Sequence, residues 1–298
     1  MNSIVIPKVT SATTAGSDIG HWQARLALQF GMTAAGCRLL RTQHQGPLYV
    51  QRAFYPEGPE LAHVYLLHPP GGLVSGDELR ITLTLAADTA VLCTTPGAGR
   101  LYRARSDQRL QQQVNTLQVA AGASLEWFPQ ETLVYRGAVA SLETRVELAD
   151  DARFIGWELI ALGLPASGIK FDDGSFTQRF VISRNGLPLL IERMHIEGSS
   201  LTFRAGMAAL QGHSLSGTFV CGPFADKMLD DSQIAALRER LQLESGALAA
   251  LTVLGEFVVL RYLGSCSEEA RRCFVRCWEY LRPLLLQRAA CAPRIWAT

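Results

Sequence analysis

Along most of the chain, apolar and polar residues alternate one by one. Ala24, Leu26, Leu28 and Phe30 are interleaved with Gln23, Arg25, Ala27 and Gln29, and Leu79, Ile81, Leu83 and Leu85 with Arg80, Thr82 and Thr84. Leu142, Thr144, Val146 and Leu148 alternate with Ser141, Glu143, Arg145 and Glu147, and Phe176, Gln178, Phe180 and Ile182 continue the habit. Successive side chains of a strand point to opposite faces, so a period of two predicts half-buried strands. Turn formers divide the runs at short intervals: Gln45-Gly46-Pro47, Pro69-Pro70-Gly71-Gly72, Ala121-Gly122, Asp172-Asp173-Gly174 and Asn185-Gly186. Asn185-Gly186, between two strand-like runs, predicts a hairpin. Many short strands with few helices between them predict a mostly β fold rather than a doubly wound parallel sheet.

Two segments near the C-terminus change period. The spacing of Ile234, Leu237 and Leu241 predicts a helix over Asp231 to Gln242, with acidic residues at its start. A second helix begins after Ser267, with Glu268 and Glu269 in its first turn. Phe274, Cys277, Trp278 and Leu281 then recur at helical spacing until Pro283 stops it. Residues 1–20, rich in small residues, read as a loose N-terminal extension, and residues 21–298, with no low-complexity linker and no fixed repeat, as a single domain.

Composition narrows the function. Of 298 residues, 48% are hydrophobic and 18% charged, which suits a packed globular core. Basic and acidic residues number 28 and 27, so no strong field exists for nucleic acid or an anionic membrane surface. The most apolar stretch, Ala247 to Leu260, contains Glu256 and is shorter than the roughly 20 residues of a spanning helix. The N-terminus lacks a basic segment followed by an apolar core, so a cytoplasmic location is expected. The seven scattered cysteines then read as reduced thiols.

Familiar catalytic motifs are absent or incomplete. Gly212-His213-Ser214-Leu215-Ser216-Gly217 resembles a hydrolase nucleophile elbow, but His213 is the last histidine and the elbow's triad places His after Ser. Gly217 to Cys221 also reads as a strand where the elbow needs a helix. Gly71-Gly72-Leu73-Val74-Ser75-Gly76-Asp77 ends in acid where a P-loop carries Lys-Ser/Thr. Cys273 and Cys277, one helical turn apart, flank Phe274 and Trp278 and read as buried structural thiols. Carboxylates within apolar runs are more informative: Glu158 in Phe154-Ile155-Gly156-Trp157-Glu158-Leu159-Ile160, Glu192 after Leu189-Leu190-Ile191, Asp77, Glu126 and Glu131. Each either faces solvent, pairs with an arginine such as Arg153 or Arg193, or lines an interior polar path. A carbohydrate-active enzyme using Glu158 and Glu192 as a carboxylate pair is a rival reading of the same residues.

Several ordered blocks resemble one family. Gln45-Gly46-Pro47-Leu48-Tyr49-Val50-Gln51-Arg52-Ala53-Phe54-Tyr55-Pro56-Glu57-Gly58 is similar to the opening block of the urease accessory protein UreD, called UreH in some bacteria. His68-Pro69-Pro70-Gly71-Gly72-Leu73-Val74-Ser75-Gly76-Asp77 resembles its most distinctive motif. Thr94-Thr95-Pro96-Gly97-Ala98, Tyr102-Arg103, Leu125-Glu126-Trp127-Phe128-Pro129-Gln130-Glu131 and the terminal Pro293-Arg294-Ile295-Trp296-Ala297-Thr298 follow in family order. Gly163-Leu164-Pro165 and Ile169-Lys170 depart from the family's usual Gly-Arg-Pro and Gly-Glu.

The resemblance implies a helically wound stack of β-strands with two α-helices in the C-terminal half. It implies a non-enzymatic role: binding apo-urease together with a UreF-type protein and a UreG-type GTPase, and helping to deliver nickel as a transient cargo rather than a permanent cofactor. It further implies an internal tunnel whose acidic lining falls at Asp77, Glu158 and Glu192, with His68, Glu126 and Glu131 as secondary positions. A pure adaptor through which no metal passes is the alternative. Sparse carboxylates suit a carrier that must release its metal, because imidazole and thiolate clusters hold nickel tightly.

Overall fold

A computed structural model describes residues 22–224, 228–243 and 246–297; the expected loose extension, residues 1–20, lies outside the described residues. The chain winds between two sheets. β1 (Trp22–Thr33) and β2 (Gly36–Gln45) pair antiparallel in the first sheet, and β3 (Tyr49–Val50) and β4 (Leu61–Leu67) pair antiparallel in the second. β5 (Asp77–Leu85) returns to the first sheet, β6 (Ala90–Thr94) to the second, and β7 (Gly99–Leu101) forms a short third side. The cycle repeats with β8 (Gln111–Val119), β9 (Ser124–Phe128) and β10 (Thr132–Val134), then with β11 (Val139–Leu148) and β12 (Arg153–Leu164). After the short β13 (Ile169–Lys170), β14 (Ser175–Arg184) and β15 (Leu187–Glu197) complete the first sheet.

Successive turns stack in parallel. The ladders β1–β5–β8–β11–β14 and β4–β6–β9–β12 are parallel throughout, as the helically wound expectation requires. On the third side Leu73, Leu101, Val134 and Leu162 align in one buried column, each at most 3% exposed. The residues that alternate in the sequence face inward as expected: Ala24, Leu26, Leu28 and Phe30, then Leu79, Ile81, Leu83 and Leu85, are buried in the core between the sheets. Asn185 and Gly186, with φ of 51° and 75°, make the two-residue turn joining β14 to β15. Positive φ at both positions is the geometry that Asn-Gly adopts at least cost.

The last third of the chain closes the structure. α1 (Leu201–Ala205), which the sequence pattern did not indicate, is a five-residue turn capped by Ser200. β16 (Leu215–Gly222), β17 (Leu248–Leu254) and β18 (Phe257–Gly264) extend the second sheet antiparallel beyond β12. α2 (Asp231–Glu239) opens with a reciprocal Asp230–Gln233 capping box and ends three residues earlier than its spacing suggested, although Leu241 still packs on the core beneath. α3 (Ser267–Leu286) differs more: it runs through Pro283 for nearly another turn. A proline inside a helix costs about 3 kcal/mol. Beyond Glu279 the helix buries Leu281, Arg282 and Leu285, and burying one leucine returns about 1.5–3 kcal/mol, so the packed face outweighs the missing amide. Gln287, at φ 54°, then ends it, its backbone N–H donating to the Pro283 carbonyl.

α3 lies on the second sheet against β12, β16 and β18, giving a second core on the face away from the first sheet. The terminal turn, Arg294–Ala297, is packed against that core. Trp296 contacts the rings of Phe128, Trp157 and Trp278, and its Nε1 donates to Thr94 Oγ1 at 3.1 Å. Among the described residues no helix is long and apolar enough to cross a membrane.

The Leu73–Leu101–Val134–Leu162 column ties the turns together. Leu101→Ala is expected to lower unfolding free energy by about 2–5 kcal/mol in urea titrations, while Leu187→Ala, at a position 70% exposed, should change it by less than about 0.5 kcal/mol.

Candidate functional site

β12 is covered on both faces, which explains its near-continuous apolar run. Phe154, Ile160 and Leu162 belong to the core between the sheets; Ile155, Trp157, Leu159 and Ala161 belong to the core under α3. Period two therefore aims Glu158 into the space between the sheets, where it is 4% exposed. Neighbours on the opposite sheet satisfy it. Thr144 Oγ1 donates to Oε1 at 2.5 Å and Gln178 Nε2 donates to Oε2 at 2.5 Å. Asn115 Nδ2 donates to Thr144 Oγ1 at 2.9 Å, and Gln113 Nε2 to Asn115 Oδ1 at 3.2 Å. Two side chains from β11 and β14 thus bond the carboxylate directly, and two from β8 extend the network behind Thr144. With no cation beside it among the described residues, burial pushes the Glu158 carboxyl up to about 7, against the two hydrogen bonds that favour its ionised form.

A cavity of about 40 Å³ reaches this group, bordered by Asn115, Trp127 and Glu158. That volume and its polar border suit ordered water, and Trp127 Nε1 is buried with no hydrogen-bond partner among the described residues. A larger cavity of about 240 Å³ shares walls with it, including Leu66, Thr95, Gln113, Gln130 and Thr132. The outer cavity is bordered by His68, Gly71, Gly72 and Arg100. Two adjoining spaces thus run from the glycine-rich turn to Glu158. Gly72 keeps that turn close: a Cβ there would come within 2.7 Å of the Arg100 carbonyl.

His68 holds the turn, its carbonyl accepting from the Gly71 amide at 2.8 Å. Its ring lines the outer cavity, its Nε2 is buried without a partner among the described residues, and burial lowers its pKa, so it is neutral at pH 7.

The remaining acids go elsewhere. Asp77, 8% exposed, closes the turn by accepting the Val74 amide on Oδ2 at 2.9 Å. Glu192 is half-buried and pairs with Arg261, whose Nε lies 3.3 Å from Oε2. Glu131 accepts from Ser267 Oγ at 3.3 Å near the start of α3. Glu126 points to the opposite face of the second sheet from Glu158, into the core under α3. There Trp278 Nε1 donates to it at 2.6 Å, and Arg282 Nε and Nη2 each reach it at 2.9 Å. The same guanidinium donates to Glu57 at 2.7 and 2.8 Å, and Glu57 meets His63 Nε2 at 2.8 Å. Burial acts to raise the Glu57 pKa, but the bonds to His63 and Arg282 outweigh it and hold the carboxyl below its usual value. Cys273 and Cys277 are fully buried on α3, as the structural reading expected. No group of three or more His, Cys, Asp or Glu residues suited to hold a metal occurs among the described residues.

The sequence reading did not single out Gln113, Asn115, Thr144 or Gln178. The signal was available for Thr144 and Gln178, which are polar residues at inward positions of alternating strands.

Comparison with known proteins decides the family. The family model described as "UreD urease accessory protein" matches residues 23–297. The urease accessory protein UreD of Marinomonas sp. (strain MWYL1) is 45% identical over 283 residues, covering 93% of this chain and 90% of that protein. UreD of Citrobacter koseri is 42% identical, covering 93% and 92%, and UreD of Alkalilimnicola ehrlichii is 38% identical, covering 98% and 97%. The chain belongs to the UreD family. It is therefore an accessory protein of urease maturation rather than an enzyme, and the carbohydrate-active reading of Glu158 and Glu192 falls away. In this chain, Gly163 of the segment that departs from the usual pattern has φ +81°, and a Cβ there would lie 2.2 Å from the Ile169 carbonyl oxygen.

Two stability measurements probe the buried charges. The raised pKa of Glu158 means that the folded state favours the protonated carboxyl. Its stabilising proton is present below the ordinary value of 4.5 and is lost as pH rises through about 7. Unfolding free energy should fall across that window by up to about 3 kcal/mol, and Glu158→Gln should flatten the fall in urea titrations at pH 5 and pH 8. Arg282→Met, which strands Glu57 and Glu126, should cost about 3–5 kcal/mol, and adding Glu126→Gln should restore part of it.

Proposed function

We propose that this chain acts in the cytoplasm as a urease maturation scaffold. In this reading it binds apo-urease with UreF-type and UreG-type partners and passes nickel along the space between its sheets toward the urease site. The observation that carries the proposal is the lone Glu158 carboxylate at the inner end of two adjoining cavities that begin at the His68–Gly72 turn.

The donor chemistry supports a moving cargo. A neutral His68 at the outer cavity offers a nitrogen lone pair, and Glu158, half-protonated near pH 7, can exchange its proton for a cation. Amide and hydroxyl oxygens of Gln113, Asn115 and Thr144 add hard, uncharged contacts. Such a set offsets part of the cost of taking a dication out of water, yet holds nickel less firmly than imidazole or thiolate clusters would. Asp77 and Glu192, which line neither cavity, stay in the proposal as positions that the family resemblance assigns to the passage.

The pure-adaptor reading is favoured by a different observation: Glu192 is engaged by Arg261 and Glu126 by Arg282, so two of the six named positions already have cationic partners. Co-purification with apo-urease and the two partners, followed by nickel-dependent activation, separates the readings. Glu158→Ala should leave the assembly intact and lower activation by about tenfold or more, with smaller losses for Asp77→Ala and Glu192→Ala. Full assembly and full activation in all three variants would leave the adaptor reading standing and end the passage.

A further inference from the structure

A separate cavity of about 390 Å³ lies at the far end of the third side. Its origin is a missing rung. The column Leu73–Leu101–Val134–Leu162 stops at β12, and the Leu162 amide donates to the Ser214 carbonyl at 2.7 Å, so Ser214 stands where the next large side chain of the column would be. A small residue there leaves the stack unfilled. Leu162, Phe171, Ile196 and Leu210, each at most 4% exposed, form the apolar floor.

The rim has one sign of charge. Lys170 and Arg204 line the cavity, and among the described residues no Asp or Glu does. Arg204 Nε is buried and has no hydrogen-bond partner among the described residues. The nearby Asp172 is already held by Arg136. An unpaired buried guanidinium donor is costly unless something accepts from it. The volume falls within the roughly 300–1,000 Å³ of small-molecule sites, and apolar walls with a few placed polar groups are their usual lining.

We propose that this cavity is a binding site for a small amphipathic carboxylate, with its hydrocarbon body on the Leu162–Phe171–Leu210 floor and its anionic head on Arg204 and Lys170. The site is distinct from the Glu158 cavities, with which it shares no lining residue, and does not depend on the proposed nickel passage.

Calorimetric titration of the full chain with octanoate, octanol and octylamine tests this. Octanoate should bind saturably with one site and more tightly than either analogue. Arg204→Gln should weaken octanoate by about tenfold or more, the loss of one charge-assisted hydrogen bond, and leave octanol unchanged. Ala205→Trp, which places a large ring at the cavity's edge, should abolish binding of both, while the thermal midpoints of both variants report that they fold. Equal binding of octanoate and octylamine, unchanged octanoate affinity in folded Arg204→Gln, or no saturable binding of octanoate would each overturn the proposal.

Discussion

Both faces of β12 are covered, one by the opposite sheet and one by α3, and this double burial controls where charge can sit in the molecule. A carboxylate on such a strand cannot turn to solvent. Its partners must come from whichever element lies across from it. Glu158 meets uncharged hydroxyl and amide groups, and burial pushes its carboxyl up to about 7. Glu126, on the adjacent strand but of opposite parity, meets a guanidinium. Burial raises the pKa of both acids, but their partners differ: Glu158 faces neutral groups beside a small cavity, whereas Glu126 faces a guanidinium and an indole N–H that oppose the rise.

The fixed pair has its own consequence for the fold. Arg282 reaches Glu126 on β9 and Glu57 in the segment between β3 and β4, so a residue of the last helix clamps two widely separated parts of the chain. This contact and the Trp296 cluster dock the C-terminal segment on the second sheet. The helix continues past Pro283, where burial of Leu285 and the ion pairs made by Arg282 offset one absent amide hydrogen bond.

Much of the architecture was legible in the alternating pattern. The inward sets on β1, β5, β11 and β14 and the Asn185-Gly186 turn follow from local chemistry alone: hydrophobic parity and the positive φ that Asn-Gly tolerates. The candidate site was legible only in outline. Glu158 and His68 could be chosen as unusual residues in unusual places, but the choice among solvent, arginine and an interior path depends on what lies opposite, and no residue's own neighbours in sequence carry that. Gln113 and Asn115 escaped notice because polar residues in a strand read as outward-facing until the register of the adjoining strands is known. α1 escaped because five residues carry too short a periodic signal.

By itself, the sequence determined the strand-rich winding, the two longer helices and the family, since each rests on local periodicity or on ordered blocks of residues. Tertiary structure alone decided the partners: Arg282 for Glu126, Arg261 for Glu192, Thr144 and Gln178 for Glu158. It also decided that Ser214 follows Leu162 in the third-side column and leaves a cavity there. The physical reason is the same in each case. Electrostatic and packing energies depend on distances across the core, and those distances are set by how turns of the winding stack, not by spacing along the chain.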